Sequence, residues 1–388
     1  MKLFFNKKKK LFVFLILSSL ALISIIHSFN QAQLYSYDFH LSPAKLVSEG
    51  VNHYQYVLDG NHDRGPNDRL LYSQDGLYGH GLFVILMPFT WLSWDMAKIT
   101  WALLNIIFSF LIFYLLYWRF SLSKKLIFVC ACIYFMSTPY RINIAYGQQT
   151  LFTFLFFMFP FLFKSKLSIF FSGLSYFKYN IGYVIFLYFT SLLNIKKILI
   201  SLMPCILGWL SYAYLTNSNV IENLFDPILT LIYFLSQENH LPVTIFSLLK
   251  KIGLPSFFGI FLPLALSFFV IYKLRFVKNE LLKLSMISLT CLSFAAHQLH
   301  DYILLLPLLI FSFKNFSLTI SKINIVFIFY FFFFLRVLSY FFGYQPWDFP
   351  YGNFGYFNNF LTVAVLFANV KFLLFNPIRQ DVYYLKSN

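Results

Sequence analysis

Residues Ile323 to Leu335 read INIVFIFYFFFFL, an apolar run interrupted by a single amide, Asn324. A strand of a membrane barrel alternates apolar and polar residues over about ten positions. This run does not alternate, so it reads as a helix in an apolar surround. Comparable runs recur from Leu11 to Phe375. Over 388 residues the chain is 59% hydrophobic and only 11% charged. A soluble domain carries about 25% charged residues. The mean hydropathy of +0.70 agrees. The composition excludes a soluble enzyme, a disordered chain and a disulfide scaffold. It predicts an all-α, polytopic membrane helix bundle formed by one domain over residues 1–388.

The net charge of +16 does not indicate a nucleic-acid partner, because the charges are sorted by position. Lys7–Lys10, Lys124–Lys125, Lys196–Lys197 and the Lys273/Arg275/Lys278 group flank apolar spans on one side, and the acids fall mostly on the other. That is the positive-inside pattern, with basic loops in contact with anionic lipid. The four cysteines, Cys130, Cys132, Cys205 and Cys291, lie inside apolar spans with no metal or disulfide spacing.

The first apolar segment, Leu11–Ile26, follows four lysines, and no small-residue cleavage site follows it. It reads as an uncleaved helix with a cytoplasmic N-terminus. An outer loop then occupies residues 30–96, with short interfacial helices. Ser42–Gly50 has a Ser cap, Pro at the first turn and Gly at the end. Leu82–Leu92 is too short to cross, since crossing takes about 20 residues. Its Pro88 and Trp91, with Trp94 beyond, suit the headgroup level. Further spans are expected at 97–118, 126–139, 151–163, 167–177, 181–193, 198–215, 255–271, 281–297, 302–313, 323–340 and 360–375. This makes about twelve helices with both ends inside. Residues 167–193 are alternatively one helix pair broken at Lys178, a device that lines cavities.

All candidate chemistry falls on the outer side. Asp38 lies shortly after the first helix among Tyr35, Tyr37 and Phe39. Partial desolvation there makes a carboxylate a better proton acceptor near neutral pH. Arg141 and Gln148 occupy a turn expected over Tyr140–Gln149, and Lys178 an outer helix end. These cations run against the positive-inside pattern and call for a partner such as a phosphate. His297 and Asp301, four apart, share a face if their helix continues, with His300 beside them. Trp347 and Asp348 lie in an aromatic loop suited to an interface belt. Arg64 and Arg69 read as solvated. His53, His62 and Asp63 give a weak cation pattern, so no cofactor and no metal are expected. Arg336 is the main charge expected in mid-span.

This layout resembles the GT-C superfamily of polyprenyl-phosphate-sugar-dependent glycosyltransferases, and within it glycosyltransferase family 87. The resemblance rests on four stretches: Asp38–Leu46 with Glu49–Asn52; Tyr78–Trp101 with Asn105; Gly147-Gln148 leading to Gly173 and Lys178; and His300-Asp301-Tyr302 before a Leu-Pro helix. It implies a GT-C type bundle in the bacterial inner membrane, with its active site facing the periplasm. It further implies inverting transfer of mannose or another sugar from a polyprenyl-phosphate donor to a lipid or glycan acceptor. Asp38 would be the general base, and Arg141, Gln148, Lys178, His297, His300 and Asp301 would bind donor phosphate and substrate. A lipid-linked glycan transporter would show internal repeats, which are not found. A capsule or O-antigen polymerase would carry its large Arg-bearing loop late in the chain, whereas here the long loop is early and acidic.

Overall fold

The computed structural model describes residues 7–60, 78–236, 256–295, 297–341 and 352–375. Every element among the described residues is helical. The first half runs α1 (Lys7–Leu34), α2 (Leu41–Ser48), α3 (His53–Leu58), α4 (His80–Leu86), α5 (Trp94–Arg119), α6 (Lys124–Met136), α7 (Thr138–Ala145), α8 (Thr150–Phe157), α9 (Phe159–Leu162) and α10 (Lys166–Ser172). The second runs α11 (Tyr179–Ser191), α12 (Ile195–Leu215), α13 (Val220–Asn223), α14 (Asp226–Ser236), α15 (Ser256–Leu274), α16 (Glu280–Phe294), α17 (Leu306–Lys314), α18 (Thr319–Phe329), α19 (Leu335–Phe341) and α20 (Gly352–Phe375). 3-10 turns cover Met87–Trp91, Gly173–Phe177 and Leu299–Leu305, and a π turn covers Tyr330–Phe334.

Five described helices are long and apolar enough to cross a membrane: Leu11–Leu34, Trp94–Arg119, Ile195–Leu215, Thr319–Leu338 and Gly355–Leu374. The pair α6–α7, bent by 59°, makes a sixth if it is one span. The chain is a helical membrane protein, and among the described residues five or six helices reach full span length against the twelve expected. The shortfall has a physical reason. In α16 every residue from Leu281 to Phe294 is buried by the protein, as is most of α17. A helix apolar on all sides and packed on all sides is a bundle core. By contrast, α1 and α12 leave most of their apolar surface uncovered, as lipid-facing helices do.

Local sequence explains most boundaries. Ser93, Ser123, Ser137, Asn194 and Asn279 each accept a hydrogen bond from the first turn of α5, α6, α7, α12 and α16. Four expectations change. Residues 138–145 form α7 and not a turn, because Ser137 caps it and Pro139 sits at its start, where a missing N–H costs nothing. The segment expected as a loop from Thr216 contains α13 and α14, the latter opened by Asp226-Pro227. The first outer segment holds α3, which Asn52 caps through bonds from Tyr54 N and Gln55 N. Finally, α2 starts one residue before Ser42, with His40 at its N-cap.

Two features join the helices. Asn324 and Asn369 exchange amide hydrogen bonds of 3.0 and 2.8 Å between α18 and α20, a polar clasp inside an apolar bundle. Gly81 of α4 and Gly208 of α12 bring their backbones together. A Cβ on Gly208 would stand 2.5 Å from Gly81 Cα. A second, smaller core of Phe39, Leu41, Tyr54, Phe83, Trp101 and Phe177 fastens α2, α3 and α4 against the bundle.

Candidate functional site

Asp38 follows α1 on a segment pinned to the α7–α8 link. Ser36 N donates to Ala145 O at 2.9 Å and Asp38 N to Tyr146 O at 3.0 Å. Phe39 beside it is buried and stacks on Trp101, whose indole Nε1 donates to Gly147 O at 2.8 Å. Gly147 has φ +69°, and a Cβ there would stand 3.0 Å from that of Phe39. Backbone conformation and close approach both require glycine. The Asp38 carboxylate, half-buried, receives the Gln148 amide Nε2 on Oδ2 at 2.5 Å. Gln149 Nε2 donates to Asp38 O at 2.9 Å.

The second half of the site is a buried ion cluster. Lys178 sits where the helix breaks, between the Gly173–Phe177 turn and α11. Its Nζ donates to Asp301 Oδ1 at 2.6 Å and to Thr150 Oγ1 at 2.6 Å, with His300 Nε2 at 3.3 Å. Thr150 Oγ1 in turn donates to Asp301 Oδ1 at 2.8 Å. Asp301 Oδ2 receives Asn180 Nδ2 at 3.1 Å and faces His297 Nδ1 at 2.9 Å. The helix carrying His297 does not continue to Asp301. α16 ends at Phe294 and the 3-10 turn starts at Leu299. The His297–Asp301 pair forms across that break. His297 Nε2 faces Cys291 O at 3.0 Å, so the ring is clamped within the protein and orients Asp301.

Burial raises the Asp301 pKa, but Lys178 and both histidines outweigh it and hold the carboxyl well below the usual range. His300 is pushed down to about 3 by burial, with Lys178 and His297 adding to the effect and Asp301 opposing it. The cluster is therefore a neutral His300 beside an ionised Asp301 that Lys178 holds.

One tripeptide links the two halves: Gln148 and Gln149 hold Asp38, while Thr150 holds Lys178 and Asp301. Asn143 of α7 ties in the last element by donating to His300 O at 2.6 Å. The amide oxygens of Gln148 and Gln149, beside Asp38, and of Asn143, beside His300, are buried without a donor. Their amide nitrogens are fixed on oxygen acceptors, so the oxygens point where they do by necessity. Arg141 lies in α7, with Nη2 donating to Thr138 Oγ1 at 3.3 Å and Nε buried without a partner. Arg336, in α19 after the π turn, lies at the end of the apolar stretch and not at its middle. Its charge acts on both Arg141 and Tyr146.

The geometry thus joins Asp38 with Gln148, and Lys178 with His297, His300 and Asp301. Four further residues belong with them: His40, Tyr78, Thr150 and Asn180. Tyr78 sits in both fields, since Asp301 and Asp38 each raise its pKa beyond the effect of burial. Their signal in the sequence was adjacency to residues already singled out: His40 to Asp38, Thr150 to Gln148 and Asn180 to Lys178. No group of three or more His, Cys, Asp or Glu among the described residues could hold a metal ion. His53 is buried away from such a group, and His62, Asp63, Arg64, Arg69, Trp347 and Asp348 lie outside the described residues. Compared with known proteins, the chain matches no protein-family model, no curated protein and no solved structure.

Proposed function

We propose that this protein is a membrane glycosyltransferase of GT-C type that takes its sugar from a polyprenyl-phosphate carrier on the outer face of the bacterial inner membrane. The observation that carries the reading is a division of polarity within one site. Asp38, with the donor-less amide oxygens of the Gln148 and Gln149 side chains that bond it, forms an accepting half. Lys178, ion-paired with Asp301, gives the other half its cation, while Arg141 and Arg336 lie in each other's field near Tyr146, on the Asp38 side. Hydroxyl groups suit the first and a phosphate suits the second, and a sugar joined to a lipid phosphate carries both. The twelve-helix topology belongs to this reading, with the shorter helices completing the bundle around the full-length ones.

In the reaction, Asp38 accepts the proton of an acceptor hydroxyl. The oxygen attacks the anomeric carbon and forms the new glycosidic bond. The bond from that carbon to the phosphate oxygen breaks, and its electron pair leaves on the lipid phosphate. The configuration inverts. Arg141 has four N–H donors left beyond its single described bond, so it is the group best placed to neutralise the leaving phosphate. Lys178 adds its field from behind, fixed by Asp301 and Thr150. The lipid chain keeps the donor at the membrane surface, so binding needs no nucleotide pocket.

The test replaces one atom. Asp38→Asn keeps the shape and the Gln148 contact but cannot accept a proton. Incubated with polyprenyl-phosphoryl sugars and a glycan or lipid acceptor extract, wild type should release polyprenyl phosphate. The variant should fold normally and turn over about 10²–10⁴-fold more slowly. Full turnover by the variant removes Asp38 as base. Release by neither protein, with any donor, removes the reaction.

A further inference from the structure

His40 stands out from its surroundings in three ways. It occupies the left-handed region, φ 53° and ψ 30°, which few side chains adopt, histidine, asparagine and aspartate more than most. It sits at the N-cap of α2 without capping it, a position where serine, aspartate or asparagine would bond the first turn. It is only 7% exposed, yet its Nδ1 is buried with no hydrogen-bond partner. An uncapped imidazole with Nδ1 buried and unpaired calls for an explanation beyond packing.

Its surroundings say what it is for. The ring lies edge-on to Tyr78, with centroids 4.4 Å apart. It is two residues from Asp38 and feels the charges of Lys178 and His300. It therefore stands where the accepting half of the site meets the cationic half. Burial, with Lys178 and His300 adding to it, pushes its pKa down to about 3. The ring is neutral at physiological pH, with one nitrogen donating and the other accepting. A phosphate offers only acceptors and favours cations. A hydroxyl both donates and accepts, and so matches a neutral imidazole.

We infer that His40 is a specificity-determining residue that hydrogen-bonds a hydroxyl of the transferred sugar. This rests on the glycosyltransferase reading above and adds to it a requirement for a hydroxylated sugar on the carrier. A site whose polar group needs that hydroxyl discriminates against a carrier lacking it, because the imidazole is then left unpaired.

The experiment measures binding of two probes to the full chain in lipid nanodiscs: undecaprenyl phosphate, and the same lipid bearing a hexose, tried as mannose, glucose and galactose. His40→Gly removes the imidazole while fitting the left-handed backbone, so it should fold at least as well as wild type. His40→Asn tolerates the same backbone and restores a polar group. Wild type should bind one of the sugar-bearing lipids about tenfold more tightly than the bare phosphate lipid. His40→Gly should lose that preference with bare-lipid binding unchanged, and His40→Asn should recover part of it. Preference retained in His40→Gly, an equal weakening of both lipids, or no preference in wild type overturns the role of His40 alone. A folded wild type that binds none of the lipids overturns the glycosyltransferase reading with it.

Discussion

The Lys178–Asp301 pair gives the sharpest test of how the site is held. The two side chains meet at 2.6 Å and are 5% and 1% exposed. At an effective dielectric of about 20, unit charges at that distance attract by about 6 kcal/mol. Removing each ion from water costs several kcal/mol, so the intact pair is close to break-even against an apolar pair of like size. The single substitutions are a different matter. Asp301→Leu leaves Lys178 buried with no counter-charge, and Lys178→Met leaves a carboxylate held by Thr150, Asn180, His297 and His300. Each should lose about 3–5 kcal/mol. With an unfolding entropy of about 2.1 cal/mol/K per residue, that is a Tm drop of about 5 °C for a chain of 388 residues. The double variant Lys178→Met/Asp301→Leu should lose less than either single one. The assay is thermal unfolding of the four detergent-solubilised proteins, followed by intrinsic fluorescence and read as a double-mutant cycle. Single variants within about 0.5 kcal/mol of wild type would refute the buried pair. So would a double variant whose loss equals the sum.

Two further outcomes follow from named contacts. His40 and His300 have folded pKa values of about 3, against about 6.5 when unfolded. Between those values the unfolded chain binds more protons, so stability rises with pH. Acidifying from pH 6.5 to 5 should lose about 2 kcal/mol for each ring. Asp301, whose folded pKa is depressed, keeps its contribution above the usual carboxylate range and adds no slope in this window. A Tm that stays flat from pH 7.5 to 5 would contradict the burial of both rings. Gly208→Ala gains about 1 kcal/mol in helix propensity, but its Cβ meets the Gly81 backbone at 2.5 Å. Backbone cannot yield cheaply, and overpacking of about 1–3 kcal/mol should win. A Tm equal to or above that of wild type would show that α4 and α12 do not touch there.

What the sequence made legible was whatever is written locally. Ser42–Gly50 reads as a helix from its turn signals, whereas the equally local Ser-Thr-Pro signature at 137–139, the Asn52 cap and the Asp226-Pro227 start do not enter that reading, and three helices hang on them. Asp38, Lys178 and the His297/Asp301 pair stood out because charged residues are costly next to apolar spans. What the sequence hid was long-range. Lys178 and Asp301 are 123 residues apart, and Gln148 and Asp38 are 110 apart. Neither partnership leaves a periodic trace. The left-handed backbone at His40 is also unreadable, because nothing adjacent in the chain predicts it. Which apolar runs cross the membrane is hidden for a related reason. An apolar run records burial but does not say whether lipid or protein does the burying, and α16 is covered by protein.

The same logic explains why the polar residues gather where they do. Four interruptions of helix converge on the site: the segment Tyr35–His40 after α1, the Tyr146–Gln149 link after α7, the break at Lys178, and the stretch between Phe294 and Leu299. Each leaves backbone N–H and C=O groups outside any helix ladder. In an apolar surround such groups are tolerated only where protein or a water-filled cavity satisfies them. Here they partly satisfy one another: Ser36 N and Asp38 N bond the end of α7, and the Asn143 side chain bonds the backbone of His300. A helix break in such a bundle therefore places polar side chains and polar backbone together. The oxygens of Gln148, Gln149 and Asn143 and the ring of His40 are left over from that mutual satisfaction. If the breaks served packing alone, apolar residues at these four positions would serve better, since each unpaired buried group costs about 1–3 kcal/mol. Their presence near the breaks, with two of them on the carboxylate that Gln148 and Gln149 hold in place, is what the proposed reading of a hydroxylated, anionic lipid substrate calls for.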